Sequence, residues 1–414
     1  MGFERACLCC FLLKMETLEG KQAIATEARE DEHSMQKAKI SLPVEIIEDI
    51  LSRIPVKSIL RFKSVSKPWL SLISTPSFHK LHSTVAPRTT ALFFSAYDSS
   101  TNTSYFFSGA RDGGSVANLI KLDNTVLELY AEHLNGLVCF TSRTYCCRTL
   151  DSYVLNPCTH KFFKLPRPPV IEAMNTCYLF GFDELSNEHK VLYFHVESIK
   201  PTTIEVMIFS MSTYSWRKIN VDLPVSMSRA RWGYVTRLSV CVNSTIHLML
   251  KRPLKILAFN LTTEKFSIFN IPLEAAPETQ GTFEYRYKRS GCFIKINGLL
   301  SVACYDPMGQ NLHIWILQDY QNRVWVRETI TFPPNSQIRY GGGGPYPYDS
   351  ISMDEIIFSP TVLSENLISV PIYNMKTRCF KSIELTLGHQ FLSPKLVHVS
   401  QIKCYVESLI PLQH

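Results

Sequence analysis

Between residues 40 and 82, the apolar residues recur with the period of an α-helix. Ile47, Ile50, Leu51 and Ile54 follow the spacing that places side chains on one face of a helix. Pro55 ends this helix, because the residue before a proline is disfavoured in the helical conformation. The pattern therefore predicts a first amphipathic helix that stops near Ile54.

Two further short helices are predicted after the first. The second extends from about Lys57 to Val65. Ser66 and Pro68 are residue types that favour the N-cap and the first turn of a third helix, which Pro76 interrupts. Three short helices bury too little apolar surface to be stable alone, so this segment is expected to need a partner or an adjoining domain.

The segments on either side of the helices have different patterns. Residues 16–39 are polar with few large apolar side chains, which predicts a disordered leader over residues 1–39. After about Pro87, short β-branched or aromatic runs such as TALFFSAY and KVLYFHV are bounded by turn residues. These runs predict strands as far as the C-terminus.

Two sequence elements repeat within the strand region. The first is a turn followed by an apolar strand, and its turn residues Asn135, Asn243 and Asn297 lie 108 and 54 residues apart, with Asn187 in the gap. The second is a hairpin with an aromatic second strand. Its aromatic anchors are 53, 50, 59 and 55 residues apart and comprise Phe163, Trp216, Phe266, Trp325 and Phe380.

Hairpins that repeat about every 50 residues are typical of kelch-like propeller blades, each of which packs against its neighbours. Residues 85–410 are therefore predicted to form an all-β propeller of about six blades, after a small all-α domain at residues 40–84. The last strand, within LVHVSQIKCYVESLI, is expected to pair with the first and close the ring. The aromatic anchors are expected to pack in the core between blades.

Composition favours neither nucleic acid nor a membrane as a partner. The formal net charge of +7 is spread along 414 residues without a run of five or six Lys or Arg. The apolar run at residues 6–13 is too short to span a bilayer. The 13 cysteines include no CxxC pair, which argues against a disulfide framework or a zinc site. The expected location is the cytoplasm, the nucleus or both.

No sequence motif for catalysis is present. The chain contains no GxxxxGK, HExxH or GxSxG pattern, and no GxGxxG followed by a helix. His79 and His82 are close in sequence but have no carboxylate or cysteine companion. No catalytic residue, metal site or cofactor is predicted.

Two segments contain residue types that are enriched in protein-recognition surfaces. Loops on a rigid scaffold concentrate recognition residues, and Tyr, Trp and Arg dominate binding energy at interfaces. The alternative for both segments is an exposed connector without a binding role. The candidate substrate-binding residues are Arg229, Arg231, Trp232, Tyr340, Tyr346 and Tyr348.

The helical segment resembles an F-box, particularly in its plant form. The stretch LPVEIIEDILSRIPVKSILRFKSVSKPWLSLI and the following PSFHKLH carry the resemblance, although Leu70 stands where this family more often has Arg. The resemblance implies that the segment docks on a Skp-type adaptor. By position in the motif, the adaptor contacts would be Leu42, Pro43, Ile47, Ile50, Leu51, Ile54, Pro55, Leu60, Phe62, Val65 and Trp69.

The strand region resembles the F-box-associated, kelch-like region of plant F-box proteins. Matching segments include HLNGLVCF, LNPCTHKFFKLP, GFDELSNEHKV and YVESL, although family members more often have Tyr at the position of Phe182. In this family the F-box binds the Skp adaptor and through it cullin, while the C-terminal domain holds a protein substrate. The resemblance therefore implies a non-catalytic substrate-recognition subunit of a Skp–cullin–F-box ubiquitin ligase.

Two other functions are compatible with the sequence. The propeller would instead bind a glycan or a small molecule outside the ligase if it had a central aromatic and polar pocket. A propeller enzyme with a copper site would need clustered Tyr and His ligands, whereas the 12 histidines are scattered along the chain.

Overall fold

The computed structural model of the chain contains helices first and strands afterwards, as predicted. The described residues divide into two units between Ile47 and Glu48. Among the described residues, no helix is long and apolar enough to cross a membrane. The structure describes residues 42–412 except for 124, 127–131, 145–149, 170–175, 197–203, 221–238, 252–253, 273–291, 307–310, 333–344, 353, 360–362, 389–390 and 392.

The described part of the chain has four α-helices where the sequence pattern predicts three. Pro76 does not simply interrupt the third helix, because it is the first residue of a fourth. The hydroxyl of Thr75 caps this helix by accepting the N–H of Phe78 at 3.2 Å. Ser66 caps the third helix as predicted. The helices are α1 (Val44–Ser52), α2 (Val56–Phe62), α3 (Lys67–Ile73) and α4 (Pro76–Val85).

A small apolar core holds the helices together. Phe62 and Trp69 contact edge to face with ring centroids 5.2 Å apart. The buried His82 of α4 reaches back to the end of α1, where its Nε2–H donates to the carbonyl of Ile54 at 2.9 Å. A polar contact thus supplements an apolar core of few side chains, which comprises Leu51, Val56, Ile59, Phe62, Trp69, Ile73 and Phe78.

Strands make up the rest of the described chain, with one 3₁₀ turn at Pro394–Leu396 before the last of them. In chain order the strands are β1 (Thr90–Asp98), β2 (Thr103–Ala110), β3 (Gly114–Leu122), β4 (Thr125–Val126), β5 (Glu132–Leu134), β6 (Leu137–Thr144), β7 (Leu150–Asn156), β8 (Lys161–Lys164), β9 (Thr176–Asp183), β10 (Glu188–Val196), β11 (Ile204–Ser210), β12 (Ser215–Ile219), β13 (Ser239–Val242), β14 (Thr245–Lys251), β15 (Leu254–Asn260), β16 (Lys265–Asn270), β17 (Cys292–Ile296), β18 (Leu299–Tyr305), β19 (Asn311–Asp319), β20 (Val324–Thr331), β21 (Pro347–Ser352), β22 (Glu355–Phe358), β23 (Leu367–Asn374), β24 (Cys379–Leu387) and β25 (Val397–Val406).

The described strands form six antiparallel blades. Blade 1 consists of β25, β1, β2 and β3, and blade 2 of β4 to β8. Blades 3 to 6 each contain four consecutive strands, beginning at β9, β13, β17 and β21. One strand from each blade contacts the next in a closed cycle, in the order β25, β5, β9, β13, β17 and β21. This cycle is the inner ring of a six-bladed β-propeller, as predicted.

Strands from opposite ends of the domain close the ring. β25 pairs antiparallel with β1, so that Thr90 lies opposite Val406, which confirms the expected closure. A second pairing was not expected from the sequence: the outer strands β24 and β3 pair in parallel over three residues. Gly113 permits this approach, because its φ is +93° and a Cβ there would lie 2.6 Å from the carbonyl oxygen of Glu384. Blades 6 and 1 are thus joined at both edges.

The repeated asparagines occupy equivalent turns. In blades 2 to 5, one asparagine lies in the turn between the inner-ring strand and the strand that follows it. These residues have φ between 43° and 53° and are Asn135, Asn187, Asn243 and Asn297. Asparagine tolerates this left-handed conformation better than most residues with a side chain. The period of about 54 residues therefore reflects one backbone turn that recurs in successive blades.

The aromatic anchors pack between blades, as expected. Phe163 of blade 2 stacks on Phe209 of blade 3 with centroids 6.1 Å apart. Phe266 of blade 4 lies 5.7 Å from Phe194 of blade 3. Two or three positions before each anchor, a residue with φ between 50° and 57° directly precedes the last strand of the blade; these residues are His160, Tyr214, Glu264, Arg323 and Arg378.

The GFD segment joins blades 3 and 4. A Cβ on Gly181 would lie 2.4 Å from Leu261 of blade 4, so a larger residue does not fit without movement. Two residues later, the buried Asp183 accepts hydrogen bonds from Lys190 at 2.7 Å and from Thr262 of blade 4 at 2.6 Å. Burial alone would raise the pKa of Asp183, but the hydrogen bonds from Lys190 and Thr262 lower it overall. The motif is therefore structural.

Candidate functional site

The first helix leaves large apolar side chains exposed at its N-terminal end. Val44 is 60% exposed and Ile46 is 47% exposed, and Pro43 beside them is also exposed. Residues 42–47, the described part of the first compact unit, thus present an apolar surface to solvent. In the second unit, Leu70 of α3 is exposed as well. Contiguous exposed apolar residues on a soluble domain are typical of a surface that binds a partner.

The predicted adaptor contacts fall into two groups. Leu51, Phe62 and Trp69 are buried in the helical core, so in this conformation their side chains support the fold and do not face solvent. The others are at least partly accessible, and their contact role stays a prediction. This second group comprises Leu42, Pro43, Ile47, Ile50, Ile54, Pro55, Leu60 and Val65.

Sequence reasoning missed the three most exposed apolar residues of this region. Ile46 and Leu70 lie off the helix faces that periodicity selects, and Leu70 differs from the residue more common at its position in the family. Val44 lies three residues before Ile47, so it extends the selected face of α1 at its exposed end. A signal was nevertheless present in the sequence, because an apolar residue outside the core-facing stripe of a short helix has no reason to be buried within its own domain.

Glu407 connects the helical region to blade 1 through an ion pair and hydrogen bonds. Glu407, the residue after β25, receives a hydrogen bond from the hydroxyl of Thr89 at 2.7 Å. Its other carboxylate oxygen lies 3.3 Å from Nζ of Lys57 on α2. The backbone N–H of Glu407 also donates to the carbonyl of Thr89 at 2.9 Å. The end of the last strand, the start of the first and the second helix therefore meet at Glu407.

Most of the predicted substrate-binding residues lie outside the described part of the chain. This is true of Arg229, Arg231, Trp232 and Tyr340. Tyr346 is exposed just before β21. The ring of Tyr348 is partly buried against the apolar core of blades 1 and 6, so it contributes to packing more than to a free recognition surface. The binding role of the two described tyrosines stays a prediction.

The inner-ring strands contain charged and polar side chains from several blades. Burial raises the pKa of Glu132 on β5, while Lys403 of β25 and Lys295 of β17 oppose this shift. The neighbouring His133 accepts the N–H groups of Gly136 and Val406 through Nε2, each at 3.2 Å. These contacts cross blades 1 and 2 and stabilise the inner ring.

The buried cysteines among the described residues are poor nucleophiles. Burial raises the pKa values of Cys177, Cys241 and Cys292 to about 12, which leaves almost no thiolate at neutral pH. All eight cysteines in the described ranges are free thiols. Within these ranges, no group of three or more His, Cys, Asp or Glu residues is arranged to hold a metal ion.

Family models account for both parts of the chain. A model of the F-box domain matches residues 40–81, and a model of the F-box associated beta propeller domain matches residues 80–404. The chain is an F-box protein of the F-box associated beta propeller family. The resemblance of both segments is thereby confirmed, together with the order of helices and propeller.

Known relatives of this F-box protein occur in Arabidopsis thaliana. The F-box protein At1g52495 is 26% identical over 388 residues, which cover 87% of this chain and 84% of the relative. The F-box protein At5g65850 is 24% identical over 411 residues, which cover 94% of this chain and 98% of the relative. The similarity thus extends through the helices and the propeller.

Solved structures share less with this F-box protein. TolB from Acinetobacter baumannii aligns with 76% of this chain and 66% of its own, at 10% identity and a TM-score of 0.45. A chain of a nidogen/laminin complex aligns with 77% of this chain and 99% of its own, at 10% identity and a TM-score of 0.43.

Proposed function

We propose that this F-box protein is the substrate-recognition subunit of a Skp–cullin–F-box E3 ubiquitin ligase. The F-box would dock on a Skp-type adaptor and through it on cullin, while the propeller binds a protein substrate for ubiquitination. The observation that carries the proposal is an F-box with exposed apolar side chains in the same chain as a closed propeller. F-box proteins are generally substrate adaptors.

The exposed end of α1 supports the docking step. Removal of apolar surface from water contributes about 25 cal/mol per Å² before the cost of association, and Val44 and Ile46 keep about half of their surface or more accessible. A partner that covers Pro43, Val44 and Ile46 would remove this surface from water. The energetic gain is concentrated in a few side chains, as is usual for protein interfaces.

The proposed role needs no reactive group in this protein. A receptor that holds a substrate beside the ligase raises the effective concentration of the substrate at the site of transfer. The protonated, buried thiols are consistent with such a non-catalytic adaptor. We place the proposed complex in the cytoplasm, the nucleus or both, where thiols remain reduced.

The docking step is tested with the double variant Val44→Asp/Ile46→Asp. Two charges on the exposed end of α1 are expected to abolish co-purification of a Skp adaptor, because a buried unpaired carboxylate is strongly unfavourable. The far-UV circular dichroism and the thermal midpoint of the propeller should not change. Val324→Asp is the matched control, since Val324 on β20 is 47% exposed and far along the chain from the F-box.

Undiminished capture of Skp by the double variant would refute the docking proposal. A charge at Leu51 is a poor test by comparison, because Leu51 is fully buried and its replacement would disrupt the helical core. Pro43→Asp is a better single variant, since Pro43 is exposed.

The substrate is sought by affinity capture under proteasome inhibition. The intact chain is compared with a deletion of residues 40–84. Proteins that bind both chains, but accumulate on the intact chain only when the proteasome is blocked, are the substrates expected of a ligase receptor. If the same proteins bind and persist equally with and without inhibition, the propeller binds them without directing their degradation.

A further inference from the structure

A cleft of 740 Å³ opens where the helical region, blade 1 and blade 6 meet. Pro55 and Lys57 contribute to the helical side of the cleft. Arg111 lies on the turn between β2 and β3, while Glu355 of β22 and Lys381 of β24 belong to blade 6. The volume falls in the range of small-molecule sites, about 300–1,000 Å³. Three separate parts of the chain thus converge on a space of ligand size.

In this cleft, called the junction cleft below, the cationic side chains are more exposed to solvent than their acidic partners. The cations point outwards, since the side chains of Lys57, Lys381 and Arg111 are 62%, 55% and 37% exposed. The acidic partners line the wall, since the side chains of Glu355 and Glu407 are 10% and 5% exposed. The accessible surface of the cleft is therefore more positive than its composition suggests.

The buried carboxylates are already hydrogen-bonded. Glu355 accepts from Lys381 at 2.5 Å through one oxygen and from Arg111 at 2.7 Å through the other. Lys381 lowers the pKa of Glu355 most, against the effect of burial, and Arg111 lowers it further. Glu407 is likewise occupied by Thr89 and Lys57. Neither carboxylate has to be neutralised by a ligand.

The cations retain donors for a ligand. An ammonium group has three N–H donors and a guanidinium group has five. The contacts among described residues use one donor each of Lys57, Arg111 and Lys381. The remaining donors lie on exposed side chains beside the apolar surface of Pro55 and Ile383. This combination of spare cationic donors and apolar wall suits an organic anion.

We propose that the junction cleft binds a small organic molecule whose acidic groups are phosphates or carboxylates. The acidic groups pair with Lys57, Arg111 and Lys381, and the apolar body packs on the wall. The three cations are not among the predicted adaptor contacts, although Pro55 of the apolar wall is one of them. Asp112, also in the lining, is exposed and opposes an anion.

Calorimetric titration of the full chain with inorganic pyrophosphate and with citrate tests the proposal. At least one probe is expected to bind with a Kd of about 1 mM or tighter. The variant Lys381→Gln is expected to weaken that binding about tenfold, because it removes one of the three cations while Arg111 still donates to Glu355. Asp112→Asn is expected to strengthen it about threefold.

The matched control is Lys218→Gln, which removes the cation of an ion pair of 2.7 Å on β11 and β12 of blade 3. Affinity in this control should equal that of the native chain. Binding of pyrophosphate alone would identify a phosphate ligand, and binding of citrate alone a carboxylate ligand. The proposal is overturned by an equal loss of affinity in the Lys218→Gln control, or if neither probe binds with a Kd of about 1 mM or tighter. None of these measurements depends on Skp, so they are independent of the docking test.

Discussion

The F-box and the propeller differ in the size of their apolar cores and in where their exposed apolar residues lie. The F-box has a core of a few side chains and leaves Val44, Ile46 and Leu70 exposed within one short stretch of sequence. The propeller has several cores shared between neighbouring blades, and its exposed large apolar residues, such as Phe162, Leu185 and Val324, are scattered over different blades. The propeller thus buries its large apolar residues against its own blades, whereas the F-box leaves a group of them accessible to a partner.

The largest effect is expected from a deletion of residues 397–414, which removes β25. The inner-ring position of blade 1 is then empty and the edge of β1 is exposed along its whole length. We expect the truncated chain to lose its cooperative thermal transition and to aggregate. Differential scanning calorimetry checks this, with Val44→Asp/Ile46→Asp as the folded control. A truncated chain that unfolds cooperatively near the native midpoint would show that the propeller closes by other contacts.

A smaller loss is expected from Asp183→Ala within the propeller. The substitution leaves Lys190 buried without its counter-ion, and such changes typically cost about 3–5 kcal/mol. The free energy of unfolding in urea measures the effect. Glu205→Ala is the reference, because it breaks an exposed pair that typically contributes less than about 1 kcal/mol. Equal losses for the two variants would mean that the joint between blades 3 and 4 does not depend on Asp183.

Low pH is expected to lower the free energy of unfolding of the propeller, because unfolding allows His189 to be protonated. Burial lowers the pKa of His189 to about 4, so the folded state favours the neutral ring. This stabilisation is complete above the unfolded pKa of about 6.5 and is lost as the pH falls towards 4. At pH 5 the loss is about 2 kcal/mol. Urea unfolding at pH 7.5 and pH 5 should show a smaller pH dependence for His189→Gln than for the native chain.

Burial also lowers the pKa of His82 in the F-box, so the helices share the acid sensitivity of the propeller in the same direction. A matched variant, His82→Gln, separates the two contributions. If neither glutamine variant reduces the pH dependence, titratable groups other than His82 and His189 determine acid stability.

The smallest effect on stability is expected from Leu70→Ser on the exposed side of α3. Because Leu70 is exposed, its replacement should change the free energy of unfolding by no more than about 0.5 kcal/mol. Thermal unfolding measures this value. A loss of several kcal/mol would indicate that Leu70 is covered in the folded chain, and would remove it from the surface available to a partner.

The sequence predicts those features that repeat or that depend on one residue's own conformation. The turn asparagines and the aromatic anchors have intrinsic preferences for a left-handed turn or a buried strand; the asparagines recur in blades 2 to 5 and the anchors in blades 2 to 6. Period and turn chemistry together therefore predict the propeller, its approximate blade number and its closure. The N-cap Ser66 is predicted for the same local reason.

Features that depend on distant contacts have no such signal. The pairing of β3 with β24 joins residues about 270 apart in the chain, and nothing local in either strand specifies it. Helical periodicity shows that Leu51 and Ile54 share a face, but not which face of α1 is left for a partner. A proline such as Pro76 is compatible with the end of one helix or with the first turn of another. Here a helix begins at Pro76, because the side chain of Thr75 caps it.

The pairing of β1 with β25 also bears on the synthesis of the protein. Thr90 and its partner Val406 are separated by about 315 residues. At translation rates of about 5–20 residues per second, β1 is synthesised roughly 15–60 s before β25, the strand that covers its edge. The F-box leaves the ribosome before this interval begins. Blade 1 is thus the first blade to be started and the last to be completed, and an unfinished chain differs from a finished one by the uncovered edge of β1.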